Sequence, residues 1–208
     1  MDKSTKEITE TNLSIKEGVS KVSHLTAPEF TTKNKEKQIN SYIITAAAKQ
    51  LEEIISENMN DKNIKYIKKD LFYLNPPPKI SIQEFLKGIM RSTEIDISSL
   101  VCGVIYLDRM CEKKNYVLCY NNIHLLLLAS LILSMKFNED FFVTNLNIAQ
   151  FHGVHVNLVN QIEYEFYLLV DFNLFIEESL FKKYYVYFYK MGKKYEIQEK
   201  KEKEKIQK

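Results

Sequence analysis

The chain has 208 residues, with 29 basic and 27 acidic side chains, a formal net charge of +2 and a hydrophobic fraction of 45%. That length suits one domain with extensions or two very small ones, and the apolar fraction can supply one real core. The near-neutral balance excludes a uniformly basic nucleic-acid binder, whose phosphate contacts need a positive face, although it leaves room for a local patch.

The first ten residues carry no apolar stretch of the kind found in a secretory signal. Residues 1–33 are polar, without a sustained period, and are expected to be flexible. From Lys35 to Met59 the pattern changes. Ile39, Ile43, Ala46, Ala47, Leu51, Ile54 and Ile55 recur at three- and four-residue steps, which predicts an amphipathic helix that must lie on something. A polar break at 60–63 and the run Pro76-Pro77-Pro78 close this extension, assigned to residues 34–75.

After Pro78 no further proline occurs and glycine is sparse, so an all-α domain is expected over residues 79–175. Ser81 and Glu84 have the spacing of a capping box and open a first helix carrying Ile82, Phe85, Leu86 and Ile89. A second helix starts between Asp96 and Ser99. A third runs from about Asn121 to Phe137, apolar on nearly every side, and so must be the central one. Its longest apolar run, Leu125 to Met135, falls well short of the roughly 20 residues of a membrane span. A short fourth helix begins at Thr144, and a fifth covers about Asn157 to Val170. Residues 176–208 begin aromatic and end as a Lys/Glu tract, expected as a packed helix with a solvated tail.

Little in the chain suggests catalysis. Cys102, Cys111 and Cys119 are odd in number, lie in apolar stretches and have no metal spacing, so they read as reduced and structural. His152 and His155 flank Gly153, which reads as a loop between helices and not as a metal pair, since no cysteine or carboxylate completes a ligand set. There is no glycine-rich phosphate loop and no nucleophile elbow. No enzyme activity, cofactor, metal or small-molecule substrate is expected, and neither is a membrane or nucleic-acid partner.

One lysine stands out. Lys136 lies at the end of the most hydrophobic helix and must either snorkel to water or pair with a carboxylate. Glu163 and Glu165 on the fifth helix are candidates for that partner. Asp108-Arg109 is a second charged couple behind an apolar stretch, and alone it says little.

Taken together, the segments resemble the cyclin box. Ile105-Tyr-Leu-Asp-Arg109 is similar to the family's second-helix "YLDR" signature. Leu128 to Glu139 resembles the third-helix "LLASKFEE" signature, and Ile162 to Leu174 the fifth-helix signature ending in "DF-L". Thr93-Glu-Ile-Asp96, Asn122-x-His124 and Gly153-Val154 are similar to P/U-type cyclins.

The resemblance implies a regulatory subunit that binds and activates a cyclin-dependent protein kinase, in the cytoplasm, the nucleus or both. It implies that Lys136 and Glu163 contact the kinase. It also implies that Leu133, Phe137, Tyr167 and Leu174 form a pocket for an apolar side chain of the kinase's regulatory helix. Many cyclins pair the Asp of "YLDR" with an arginine on the first helix. Gly88 takes that position here, so Asp108 is expected to use Arg91 or Lys87, or to stay exposed. Asn138 stands where an acid is frequent, leaving Glu139 and Asp140 for its electrostatic work. The alternative is a cyclin-fold scaffold or transcription-factor-like module that activates no kinase.

Overall fold

The computed structural model describes residues 15–20, 33–60, 70–114 and 116–206. Among them are eight helices and no strand: α1 (Ile15–Ser20), α2 (Lys33–Asn60), α3 (Ile82–Thr93), α4 (Ile97–Lys114), α5 (Ile123–Asn138), α6 (Asn145–His152), α7 (Val156–Leu169) and α8 (Glu178–Ile206). None of these helices is long and apolar enough to cross a membrane.

The five helices expected over 79–175 are α3 to α7, and α5 is the central one. Every residue of α5 from Ile123 to Met135 is buried, and the helix is walled in by α3, α4 and α7. An apolar helix has no solvent face to offer, so its neighbours must cover it. Gly103 lets α4 come close, since a Cβ there would stand 2.8 Å from Leu131 Cδ2.

Local chemistry sets the helix ends. The Ser81 hydroxyl accepts from the Glu84 amide at 3.2 Å, the serine half of the expected capping box, while the Glu84 carboxylate accepts from the Ser81 hydroxyl at 3.1 Å in place of a backbone amide. Thr144 caps α6 by accepting from the Asn147 amide. Gly153 ends α6 in the left-handed region at φ 63°, a conformation that costs glycine nothing. His155 then opens α7, its Nδ1 accepting from the Asn157 amide at 3.2 Å. The two histidines therefore belong to a helix connection. Among the described residues no group of three or more His, Cys, Asp or Glu is placed to hold a metal ion.

The flanking helices pair with each other. α2 packs mainly on α8 and on α3. At Gly192 the backbones of α2 and α8 approach so closely that a Cβ would lie 2.1 Å from the Tyr42 carbonyl oxygen. Between α2 and α3 the proline-bearing stretch is held to the start of α5. The Leu74 amide donates to the Asn121 carbonyl at 2.8 Å, and the Asn121 side chain returns a bond to the Leu74 carbonyl at 2.7 Å.

One expectation needs correction. The amino-terminal segment is not featureless throughout, because residues 15–20 form α1 and bury Ile15 and Val19. Six residues are too few to hold a helix by propensity, and tertiary bonds do so here. Residues 1–14 and 21–32 of that segment lie outside the described residues, as do 61–69 of the extension, including the polar break from 61 on, and the last two residues of the tail.

Candidate functional site

α5 and α7 lie side by side and bring the predicted charges together. Lys136 Nζ donates to both oxygens of Glu163, at 2.6 and 2.8 Å. Asn145, at the start of α6, donates to the same carboxylate at 2.5 Å and to Asn160 at 2.8 Å. Three helices thus meet at one carboxylate. The two side chains are 28% and 17% exposed, so the pair sits at the rim of the core, neither sealed nor freely hydrated. At that depth its net stabilisation is small, and its main effect is to fix two opposite charges in one orientation.

The apolar residues expected beside this pair divide into two groups. Leu133 and Leu174 are buried in the core, at 1% and 4% exposure, while Phe137 is 54% exposed. Tyr167 is half-buried, its ring 5.1 Å from that of Phe172. Leu133 and Leu174 could therefore only back such a surface, whereas Phe137 and the rings of Tyr167 and Phe172 keep area open to solvent. Tyr164, Leu168, Phe172 and Phe175 are also exposed. None of the four is among the residues expected from the sequence, although the spacing of Tyr164 and Leu168 sets them off the buried stripe of Val159, Ile162 and Phe166.

α4 holds the end of this surface in place. The buried Tyr106 hydroxyl donates to the Leu174 carbonyl at 2.8 Å. Arg109 donates to the Asn173 carbonyl and, at 3.1 Å, to the Phe175 carbonyl. Two residues of Tyr-Leu-Asp-Arg therefore clamp the segment after α7. Glu139 faces another way, its carboxylate accepting from the Asp96 amide at 3.0 Å and joining the end of α5 to the start of α4.

The Asp108–Arg91 pair is not formed. Arg91 is exposed and its Nε donates to the Lys87 carbonyl of its own helix. Asp108 is buried and accepts from the amides of Ile15 at 3.2 Å and Lys16 at 2.9 Å, and from the Tyr184 hydroxyl. α1 and α8 supply its partners, so no arginine on α3 is required. Burial pushes the Asp108 carboxyl above its ordinary range, against the opposing effect of the bonds from Tyr184, Lys16 and Ile15. Burial also pushes the Cys102 thiol up to about 11 and raises those of Cys111 and Cys119, which argues against a nucleophile at any of the three.

The sequence profile of the family described as Cyclin matches residues 16–174. The chain belongs to the cyclin family. The match begins at residue 16, so it takes in α1 and α2 together with the five central helices. Relatives of this cyclin include Cyclin-U2-1 of Arabidopsis thaliana, 31% identical over 51% of this chain and 49% of that protein. PHO85 cyclin-like protein psl1 of Schizosaccharomyces pombe is 33% identical over 51% of this chain and 44% of its own. PHO85 cyclin-7 of Saccharomyces cerevisiae is 28% identical over 57% and 46% respectively. The chain spans about half the length of the curated relatives it matches, and their names place it among P/U-type cyclins.

Proposed function

We propose that this cyclin is the regulatory subunit of a cyclin-dependent protein kinase in the cytoplasm, the nucleus or both. On this reading it binds the kinase's regulatory helix on the α5–α7 surface and holds it in the active position. The observation that carries the reading is the Lys136–Glu163 pair, fixed by Asn145 at the edge of the core, next along α5 to the exposed ring of Phe137. An apolar patch rimmed by oriented charges is what a specific helix-docking face requires: the patch supplies affinity and the charges set register.

The cyclin contributes no reacting group. It acts by binding one conformation of the kinase more tightly than another, which shifts the kinase toward the conformation whose own ion pair and activation loop are in order. An apolar side chain inserted from the kinase would meet Phe137 and Tyr167 against a floor backed by Leu133 and Leu174. That floor is packed, so the insert seats without reorganising the core.

The test is affinity purification of the tagged chain from its own cells, followed by assay of the captured kinase with and without added cyclin. A cyclin-dependent kinase is expected among the captured proteins, with a peptide-phosphorylation rate that rises at least about tenfold on addition. Capture of no kinase, or an unchanged rate, would overturn the proposal.

A further inference from the structure

The run Pro76-Pro77-Pro78 does more than close the amino-terminal extension. One proline is enough to stop a helix. Three in succession add rigidity: each fixes φ near about −65°, and a following proline confines the ψ of Pro76 and Pro77 to the extended region. The run is therefore set in the polyproline conformation before anything binds it.

Both ends of this arch are fastened to the start of α5. Leu74 exchanges two hydrogen bonds with Asn121, and on the far side Nε2 of the buried His124 donates to the Ile80 carbonyl at 3.0 Å. Between the fastenings Asn75, Pro76, Pro77, Lys79 and Ile80 are exposed and Pro78 is half-buried. Among the described residues no hydrogen bond uses the carbonyls of residues 75–79, and Lys79 makes no ion pair. Proline has no amide to donate, so the arch offers rigid rings, open acceptors and one cation. A segment ordered in advance loses little freedom when it is bound.

We infer that this arch is the ligand of a proline-recognition domain on another protein, one whose groove is lined by aromatic rings and rimmed by a carboxylate. The chemistry selects that partner. Polyproline segments dock in aromatic-lined grooves of the SH3 and WW kind, where ring faces pack on proline and a tryptophan or tyrosine donor takes a backbone carbonyl. A carboxylate beside the groove meets Lys79, which directly follows the last proline, and fixes the direction in which the segment lies. The arch stands apart from the kinase reading. From His124 to Lys136 α5 rises about 18 Å, so the arch sits at the opposite end of that helix from the proposed kinase face.

The chain contains no tryptophan, so the tryptophan fluorescence of a partner's groove can be followed against no background. The full chain is titrated into a panel of purified SH3 and WW domains, each with a groove tryptophan. A saturable fluorescence change is expected with acid-rimmed members of the panel. Pro77→Ala and Lys79→Glu, both at exposed positions, are each expected to weaken that binding by at least about tenfold, with thermal unfolding unchanged. Should Pro77→Ala lower the thermal stability, Lys79→Glu alone decides. A free peptide of residues 72–82 is expected to compete for the same groove and to bind more weakly than the full chain, because its ends are not fastened. Lys136→Glu, which alters the proposed kinase face, is expected to leave the affinity as it is, so failure of one reading does not imply failure of the other. The proposal is overturned if no acid-rimmed domain responds, if Lys79→Glu binds as the wild type does, or if the peptide fails to compete. Weakening by Lys136→Glu as large as that by Lys79→Glu overturns it as well.

Discussion

Gly192→Ala adds one methyl group at the seam between α2 and α8. The new Cβ would stand 2.1 Å from the Tyr42 carbonyl oxygen, 2.5 Å from its carbon and 2.6 Å from the Tyr42 Cα. All three are backbone atoms, so no side chain can rotate away. Ordinary contact begins near 3.4 Å, so the helices must part locally by about 1.3 Å. Across that seam the Tyr42 ring meets that of Tyr189 and Gln50 bonds the hydroxyls of Tyr187 and Tyr195, and parting it loosens these contacts together. Overpacking of this kind costs up to about 3 kcal/mol, while alanine gains about 1 kcal/mol over glycine in a helix. The net is a loss of about 2 kcal/mol, a fall in melting temperature of roughly 4–8 °C for a chain of this size.

Gly88→Ala is the control. It lies in the interior of α3 with nothing within 4 Å of an added Cβ, so the propensity gain stands alone and the melting temperature should rise by about 2–4 °C. Differential scanning calorimetry of the two variants decides the matter. Two shifts of the same sign would refute the argument from close approach.

Asp108→Ala removes the acceptor shared by the Ile15 and Lys16 amides and the Tyr184 hydroxyl, and should cost about 3 kcal/mol in a urea titration, with hydrogen exchange rising first in α1. The pH dependence has a definite sign: the native pKa of Asp108 is raised above 3.8, so the native state holds the proton more firmly than the unfolded chain. Its contribution is complete below 3.8 and is lost as pH rises through the elevated value. Asp108→Asn should flatten that part of the stability curve, and an unchanged slope would contradict it. Cys102, Cys111 and Cys119 are buried, so iodoacetamide at about pH 8 should label them only after unfolding, as read by mass spectrometry. Rapid labelling of the native protein would show that the thiols are accessible.

Much of this arrangement was legible in the chain because burial imposes a period. The expected span 35–59 is α2 at Lys33–Asn60, and the fifth helix, expected over about 157–170, is α7 at Val156–Leu169. Lys136 was legible for a different reason. A cation at the end of a helix with no polar face has few places to put its charge, and a glutamate among apolar residues on another helix has the same difficulty. The structure joins the two.

The illegible parts depend on contacts distant in sequence. α1 has no period to read and is held by an aspartate 92 to 93 residues away. The resemblance implies a cation as the partner of Asp108, yet a buried carboxylate is served as well by two amides and a phenol. The resemblance implies Leu133 and Leu174 as pocket residues, and apolar character alone does not say that both lie at 1% and 4% exposure, beneath any such pocket. The clamp of Tyr106 and Arg109 on residues 173–175 uses backbone carbonyls, which every sequence offers equally.

The most direct test of the proposed kinase face is a charge exchange at the α5–α7 pair. Lys136→Glu combined with Glu163→Lys retains an ion pair inside the cyclin while reversing the polarity offered to a partner. The account predicts near-wild-type thermal unfolding together with loss of kinase capture, by at least about a hundredfold in affinity. Full kinase capture by the exchanged variant would contradict it.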